Sequence, residues 1–400
     1  MSLSSAVAEA PAVRAWNLRG LSVVSFAHGV SDFYSGIVPF AIFLVATHDH
    51  LSPAFQGAFV FLWYLTSSIV QPLFGTYTDR HGRWWFLPTA VALTTVAICV
   101  ATAAASPLVL ALCIVAGGIG SAVMHPEAGK YSAMLSGDRR AGGISIFQIG
   151  GQVGYSLGPA AIAAAYARFG PSGALVLLAP GALAVLALFA VMRRVDRSAT
   201  RAHAVAKPKS PTAAGRSDVD RVGIGLLVSS TSVRHFVSAA FMTFLPNLLV
   251  ARGFSIVEAG QIVTAFLLVS SIGLFAGGSL SDRFGAVVVS VAALLASVPF
   301  LFAFFWLPDP WALAALLAGS VLLAVQNAPG VAIVQAMLPN RLGTALGLMN
   351  GVAFGVGSGL VAALGIVVAA AGPATALESV SAAPLLAALA YVAVNPRLAR

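Results

Sequence analysis

Seven ionisable side chains stand inside otherwise apolar stretches of this sequence: His28 and Asp32 in one, His125, Glu127 and Lys130 in a second ("VMHPEAGKY", residues 123 to 131), and Arg234 and His235 in a third. If these stretches cross lipid, each such residue costs roughly 2.5–3.5 kcal/mol on insertion scales and is a candidate for function. His28 and Asp32 are four apart and share one helix face. Counting from Arg19, Asp32 lies about 20 Å along a helix, near mid-membrane. A carboxylate there, beside an imidazole, can exchange a proton whenever its cavity opens to either side. The plainer alternative is that Asp32 only hydrogen-bonds His28 and pins helix packing.

His125 and Glu127 read as a second protonatable station nearer the end of their stretch, with Lys130 three residues from Glu127 and able to pair with it. Pro126 between them lacks a backbone N–H, so a bend is expected, with the carbonyl near Ala122 freed. Arg234 and His235 sit at a depth comparable to Asp32. A fixed cation there has two candidate partners, Asp32 or an anionic substrate, and competition between the two would be enough to couple proton and substrate. Gln148, Gln152 and Tyr155 form a polar strip suited to a substrate cavity. On that same stretch Gly158 and Pro159 mark a helix bend.

Apolar elements must position these groups. Hydrophobic residues make up 59% of the chain and charged ones 9%, with mean hydropathy +0.92, whereas a soluble domain carries about 25% charged residues. Twelve apolar runs of membrane-spanning length can be drawn, at about 19–46, 54–77, 85–105, 107–135, 141–168, 171–194, 223–251, 255–281, 286–307, 309–338, 342–371 and 374–395. They lack the alternation of a β-barrel, so the expected fold class is an all-α membrane protein whose helices satisfy their own backbone. The 39 glycines suit close helix packing in lipid. Cys99 and Cys113 fall in apolar runs and read as small hydrophobes.

All but four of the 22 Lys and Arg fall at the termini or in alternate loops; the exceptions are Lys130, Arg168, Arg234 and Arg252. That bias predicts both termini in the cytoplasm, and the basic balance reports topology, not nucleic acid. Residues 1–18 lack a long hydrophobic core ahead of a cleavage site, so no removable signal peptide is expected.

The longest polar interruption, residues 195–222, divides the runs six and six and reads as a cytoplasmic linker between halves at 19–194 and 223–395, with short tails at 1–18 and 396–400. "GTYTDRHGR" (75 to 83) recurs as "GSLSDRFGA" (278 to 286), placing Asp282 at an offset of 203 from Asp79; the same offset relates Gly57 to Gly260 and Pro126 to Pro329. A shift of six spans keeps orientation, so the halves are predicted to be parallel copies that rock around a midplane site.

The pattern Gly75, Asp79, Arg80, Gly82 and Arg83 resembles the loop signature of the major facilitator superfamily, over residues 19 to 395. "SFAHGVSDFYSGIVPF", "QPLFGTYTDR", "MHPEAGKY" and "FQIGGQVGYSLGP" are similar to its fosmidomycin-resistance group of bacterial exporters. The resemblance implies a twelve-helix fold of two pseudo-symmetric halves. It also implies a conformational latch at Asp79 and its loop partners, repeated at Asp282 and Arg283 with Ala286 in place of the last basic residue. Gly154, Gly158 and Pro159 match the start of an antiporter signature whose final glycines are replaced by Ile162 and Ala163.

The function expected is secondary transport by a monomer in a bacterial inner membrane, exporting a small organic or drug-like compound, anionic and phosphonate-like ones included, in exchange for protons. Rival readings are export of a natural metabolite or metal chelator, proton symport, and a non-transporting sensor or scaffold. No nucleotide loop, metal-ligand spacing or catalytic set is legible, so no cofactor, metal or enzymatic activity is expected.

Overall fold

The computed structural model describes residues 17–103, 106–137, 139–204, 220–338, 344–345 and 347–398. In chain order its helices are α1 (Leu18–His48), α2 (Pro53–Tyr64), α3 (Gln71–His81), α4 (Phe86–Ala101), α5 (Pro107–Leu135), α6 (Arg140–Phe169), α7 (Leu178–Ala204), α8 (Arg221–Ala251), α9 (Ile256–Phe284), α10 (Ala286–Trp306), α11 (Trp311–Val325), α12 (Asn327–Met337), α13 (Ala353–Val380) and α14 (Pro384–Leu398). Among the described residues, nine helical stretches are long and apolar enough to cross a membrane. Two of these, Gly142–Thr200 and Gly347–Val394, run to 59 and 48 residues, more than double the roughly 20 needed for one crossing.

Helix starts follow local chemistry. Asn17 and Asp220 accept hydrogen bonds from Gly20 N and Gly223 N, both at 2.9 Å. Ser52 and Ser106 precede Pro53 and Pro107 and cap α2 and α5, and Ser255 with Glu258 closes a reciprocal capping box on α9. Gly372, at φ 84°, interrupts α13 ahead of Pro373, in the gap between the last two predicted runs. The helix α7 continues to Ala204, ten residues into the stretch read as linker. The rest of that linker, 205–219, lies outside the described residues, as do the tails at 1–16 and 399–400 and the loop basic residue Arg341.

Two elements were not legible in advance. Between α2 and α3 the chain widens into a π-turn, Leu65–Ile69, and a second π-segment, Gly347–Val352, precedes α13. Such segments recur at functional sites.

The core runs through α1 and α8, which carry the most buried apolar residues, including Tyr34, Phe40 and Phe43 on one and Phe241 and Phe244 on the other. Surface leucines such as Leu183, Leu386 and Leu389 are more than half exposed, as lipid contact requires. Contacts between the first six runs and the last six concentrate at the end that carries the 49–52 and 252–255 turns. There Gly365 abuts Pro53 O, Gly57 abuts Val361 O, and Ala160 N donates to Thr264 Oγ1 at 3.0 Å. Toward the other end, Leu73 and Tyr77 on α3 and Ile272 on α9 are exposed.

Candidate functional site

The site starts at a glycine seam. Gly29, Gly36, Gly150, Gly154 and Gly158 let α1 and α6 approach backbone to backbone; a methyl group at Gly158 would sit 2.6 Å from Phe33 O. The seam fixes His28 against α6: its ring stacks on Phe147 with centroids 4.0 Å apart, and Nδ1 lies 2.9 Å from Phe147 O. One turn along α1, Asp32 Oδ2 meets His28 Nε2 at 3.1 Å. His125 on α5 reaches the other carboxylate oxygen, Nε2 to Oδ1 at 3.3 Å, while its Nδ1 lies 2.8 Å from Ser121 O.

A carbonyl only accepts, so both Nδ1 atoms carry protons and both Nε2 atoms face the carboxylate. Each Nε2–oxygen contact is a hydrogen bond only if one proton lies in it. With both contacts bridged the triad holds two imidazoliums and a carboxylate, net charge +1; with one bridged it is neutral. The group joins three ionisable side chains from two helices, buried at His28 and 14% exposed at Asp32. One ligand atom from each of the three lies within 4.8 Å of the others, a set of a size that a divalent cation also fits. That set comes from two helices 93 residues apart in sequence, which is why no metal-ligand spacing was legible.

Glu127 is not brought to His125. Two positions apart on a helix they point to opposite sides, and Glu127, fully buried, forms an ion pair with Lys130 instead. Lys130 Nζ also donates to Thr78 O at 3.3 Å. Gly82 lies against both charged heads, so the pair braces the C-terminal end of α3. Tyr131 donates to Asp196 Oδ1 at 2.7 Å and ties α5 to α7. Helices α5 and α6 continue through Pro126 and Pro159 without interruption. Asp79, Arg80, Arg83, Asp282 and Arg283 are all exposed.

Arg234 forms no ion pair with Asp32; the carboxylate has the two histidines as partners. Nor do Arg234 and His235 share a face. Arg234 is near enough to Tyr391 of α14 to interact with it electrostatically, whereas His235 stacks on Phe354 at 4.1 Å, meets Tyr64 edge-on at 5.0 Å, and lies 3.2 Å from Ser358 Oγ. Tyr155 lies 3.1 Å from Tyr64, hydroxyl to hydroxyl, and donates to Met242 Sδ at 3.1 Å. Gln152 donates across to Leu267 O at 3.5 Å and Gln148 is exposed. An aromatic wall of Tyr64, Tyr155, His235 and Phe354 thus spans the two halves. Of these, Tyr64 and Phe354 were not singled out in sequence, where 24 Phe and 7 Tyr offer no contrast.

The sequence model of the Major Facilitator Superfamily matches residues 24–228 and again 227–399. The chain is 28% identical over 377 residues to the MFS-type transporter YfnC of Bacillus subtilis (strain 168), covering 93% of this chain and 92% of that one. It is likewise 28% identical over 352 residues to the Fosmidomycin resistance protein of Escherichia coli (strain K12), covering 87% and 86%. Among solved structures, a bacterial homolog of the human lysosomal transporter Spinster, inward-facing and occupied, aligns with TM-score 0.68 at 17% identity over 95% of this chain and 96% of that one. A mutant of the nucleoside transporter NupG aligns with TM-score 0.70 at 16% identity over 94% and 100%. With two matched segments spanning nearly the whole sequence and a helical fold shared with solved transporters, the chain belongs to the Major Facilitator Superfamily and is a multi-pass membrane transporter.

Proposed function

We propose that this protein is a proton-coupled antiporter that exports a small organic compound by alternating access, an anionic, phosphonate-like compound among its candidates. The observation that carries the reading is Asp32 shared between His28 and His125, because a carboxylate held by two imidazoles from two helices changes its charge one proton at a time. The likeness to the Fosmidomycin resistance protein supports the export of drug-like cargo.

Twelve spans in two six-helix halves is the arrangement we favour. The two over-long stretches each carry an interruption, the Gly170–Leu177 turn and Gly372, and the 16-residue helix Phe86–Ala101 adds one more crossing. The distribution of Lys and Arg supports both termini in the cytoplasm of a bacterial inner membrane. In that orientation the packed end faces outside and the Asp79 and Asp282 loops, both exposed, lie on the cytoplasmic side as the two parts of a latch.

Transport then follows from the triad. One proton arriving from outside bridges the second contact and takes the triad from neutral to +1. Once the cleft turns inward, loss of a proton to the cytoplasm leaves the triad neutral as cargo settles on the Tyr64–His235 wall. Each coupled proton gains about 2.3 kcal/mol per 100 mV of membrane potential. No bond in the cargo is changed.

The test uses purified protein in liposomes with an internal pH dye and an imposed proton gradient, with fosmidomycin as the first compound added. Wild type should move protons on addition and Asp32→Asn should not, with both proteins equally folded. Equal proton movement in the two would remove Asp32 from the coupling.

A further inference from the structure

We infer that a second site, for the acidic head of the cargo, lies inside the second half around Arg234, away from the proton triad; the inference rests on the transport reading above. Arg234 is 4% exposed, and among the described residues it has no Asp or Glu partner. Its Nε–H is buried with no acceptor at all. Folded proteins leave a charge in such a place only when something else answers it, because a buried unpaired ion is among the most destabilising features a core can hold.

The surroundings are built for an oxyanion. Thr231 lies one turn earlier on α8, Gln326 sits where α11 gives way to α12, and Tyr391 comes from α14. Gln326 Nε2 donates to Tyr391 Oη at 2.7 Å and to Thr231 Oγ1 at 3.4 Å, which leaves Gln326 Oε1 buried and unpaired. The two ends of an amide are interchangeable in shape. Turned over, the oxygen would accept from the two hydroxyls and the NH2 would become a second unpaired donor alongside Arg234. Either way two polar heads in one buried cluster lack partners, one of them a fixed cation, and among the described residues no carboxylate is there to meet it.

A phosphonate, phosphate or carboxylate group satisfies this set: it supplies the missing charge and several acceptor oxygens, and a singly protonated phosphonate can also donate to the amide oxygen. His235, the next residue on α8, turns instead to the aromatic wall, so the Arg234 cluster and that wall lie on different faces of α8. Cargo acid and proton store then occupy different groups. Asp32 and the cargo do not compete for one arginine, and coupling passes through the opening and closing of the cleft.

The experiment is a thermal-shift titration of the full-length protein in detergent with methylphosphonate, against sodium chloride at matched ionic strength. Wild type should be stabilised saturably by methylphosphonate and not by chloride. Arg234→Gln should weaken the apparent Kd at least tenfold, about 1.4 kcal/mol, and the ligand-free variant should melt no lower than wild type, since it loses an unanswered charge. Gln326→Met should weaken binding without the change of charge, and it decides the matter if Arg234→Gln does not fold. No response in wild type, an equal response to chloride, or an undiminished response in both variants would overturn the site. Asp32→Asn should keep the methylphosphonate response, and its loss there would also overturn the separation. Binding without proton movement in liposomes would leave this site standing and remove only the coupling scheme.

Discussion

Replacing Lys130 with Met should destabilise this protein far more than replacing Glu127 with Gln, although the two form one ion pair. Glu127 is 0% exposed and the Lys130 side chain 30% exposed. Removing the lysine strands a carboxylate in the core, and breaking a buried pair from one side costs about 3–5 kcal/mol. Removing the carboxylate leaves a lysine that keeps its bond to Thr78 O and can extend toward the interface, a loss of about 1 kcal/mol. The double variant Glu127→Gln/Lys130→Met should therefore recover much of what Lys130→Met loses, a coupling well above the few tenths expected of independent sites. Unfolding in one detergent, followed by the same probe for all four proteins, measures each term, and the liposome pH assay adds a second reading. If Glu127 is a brace, Glu127→Gln still moves protons. Full stability of Lys130→Met, or a well-folded Glu127→Gln that moves no protons, would refute the brace and return Glu127 to proton chemistry.

Other outcomes follow from the same geometry. His125→Ala leaves Asp32 with one of its two imidazole contacts, so proton movement per compound exported should fall without vanishing, while His28→Ala should also loosen α1 from Phe147 and lower stability. Gly158→Ala puts a methyl 2.6 Å from Phe33 O and 2.7 Å from Gly36 C, where 3.4 Å is ordinary contact. The seam must part by roughly 0.8 Å, and overpacking of that kind costs about 1–3 kcal/mol, to be read by melting and by lost transport. Thr264→Val removes the acceptor for Ala160 N–H at the packed end; a net 0.5–1.5 kcal/mol shifts the conformational ratio about 2- to 13-fold toward opening there, measurable as slower cytoplasmic-side labelling of a cysteine placed at Gln148.

What could be read in advance was what repeats or what lipid forbids. The helical fold, the doubled loop, the His28–Asp32 pair and the boundary near Gly372 all rest on short-range patterns or on a composition few folds tolerate. What could not be read depends on which face a residue turns. His125 and Glu127 are neighbours in sequence, yet one completes a triad with α1 and the other props the end of α3. Arg234 and His235 are adjacent and serve different surroundings. Helical periodicity alone separates each pair; choosing which member faces Asp32 needs the crossing of α1 and α5, which no local pattern encodes. The Tyr64–Tyr155 contact likewise arises only when span partners 91 positions apart are brought together.

The repeat makes the division of labour sharper. At the offset of 203, Glu127 corresponds to Gly330 and Val123 to Gln326. In the first half this level of the helix holds a buried carboxylate answered by Lys130; in the second it holds no side chain at Gly330, and the space a Cβ would enter is bounded by Tyr391 Oη at 2.7 Å and Gln326 Nε2 at 2.9 Å. Position 330 thus faces the same phenol and amide that make up the Gln326–Tyr391 cluster, and brings no side chain of its own to it. At this level, among the described residues, the second half has no counterpart of the Glu127–Lys130 pair. Gly330→Ala therefore belongs with the anion test: a methyl pressed on Tyr391 and Gln326 should weaken methylphosphonate binding without touching the triad, and unaltered binding would place the acid elsewhere.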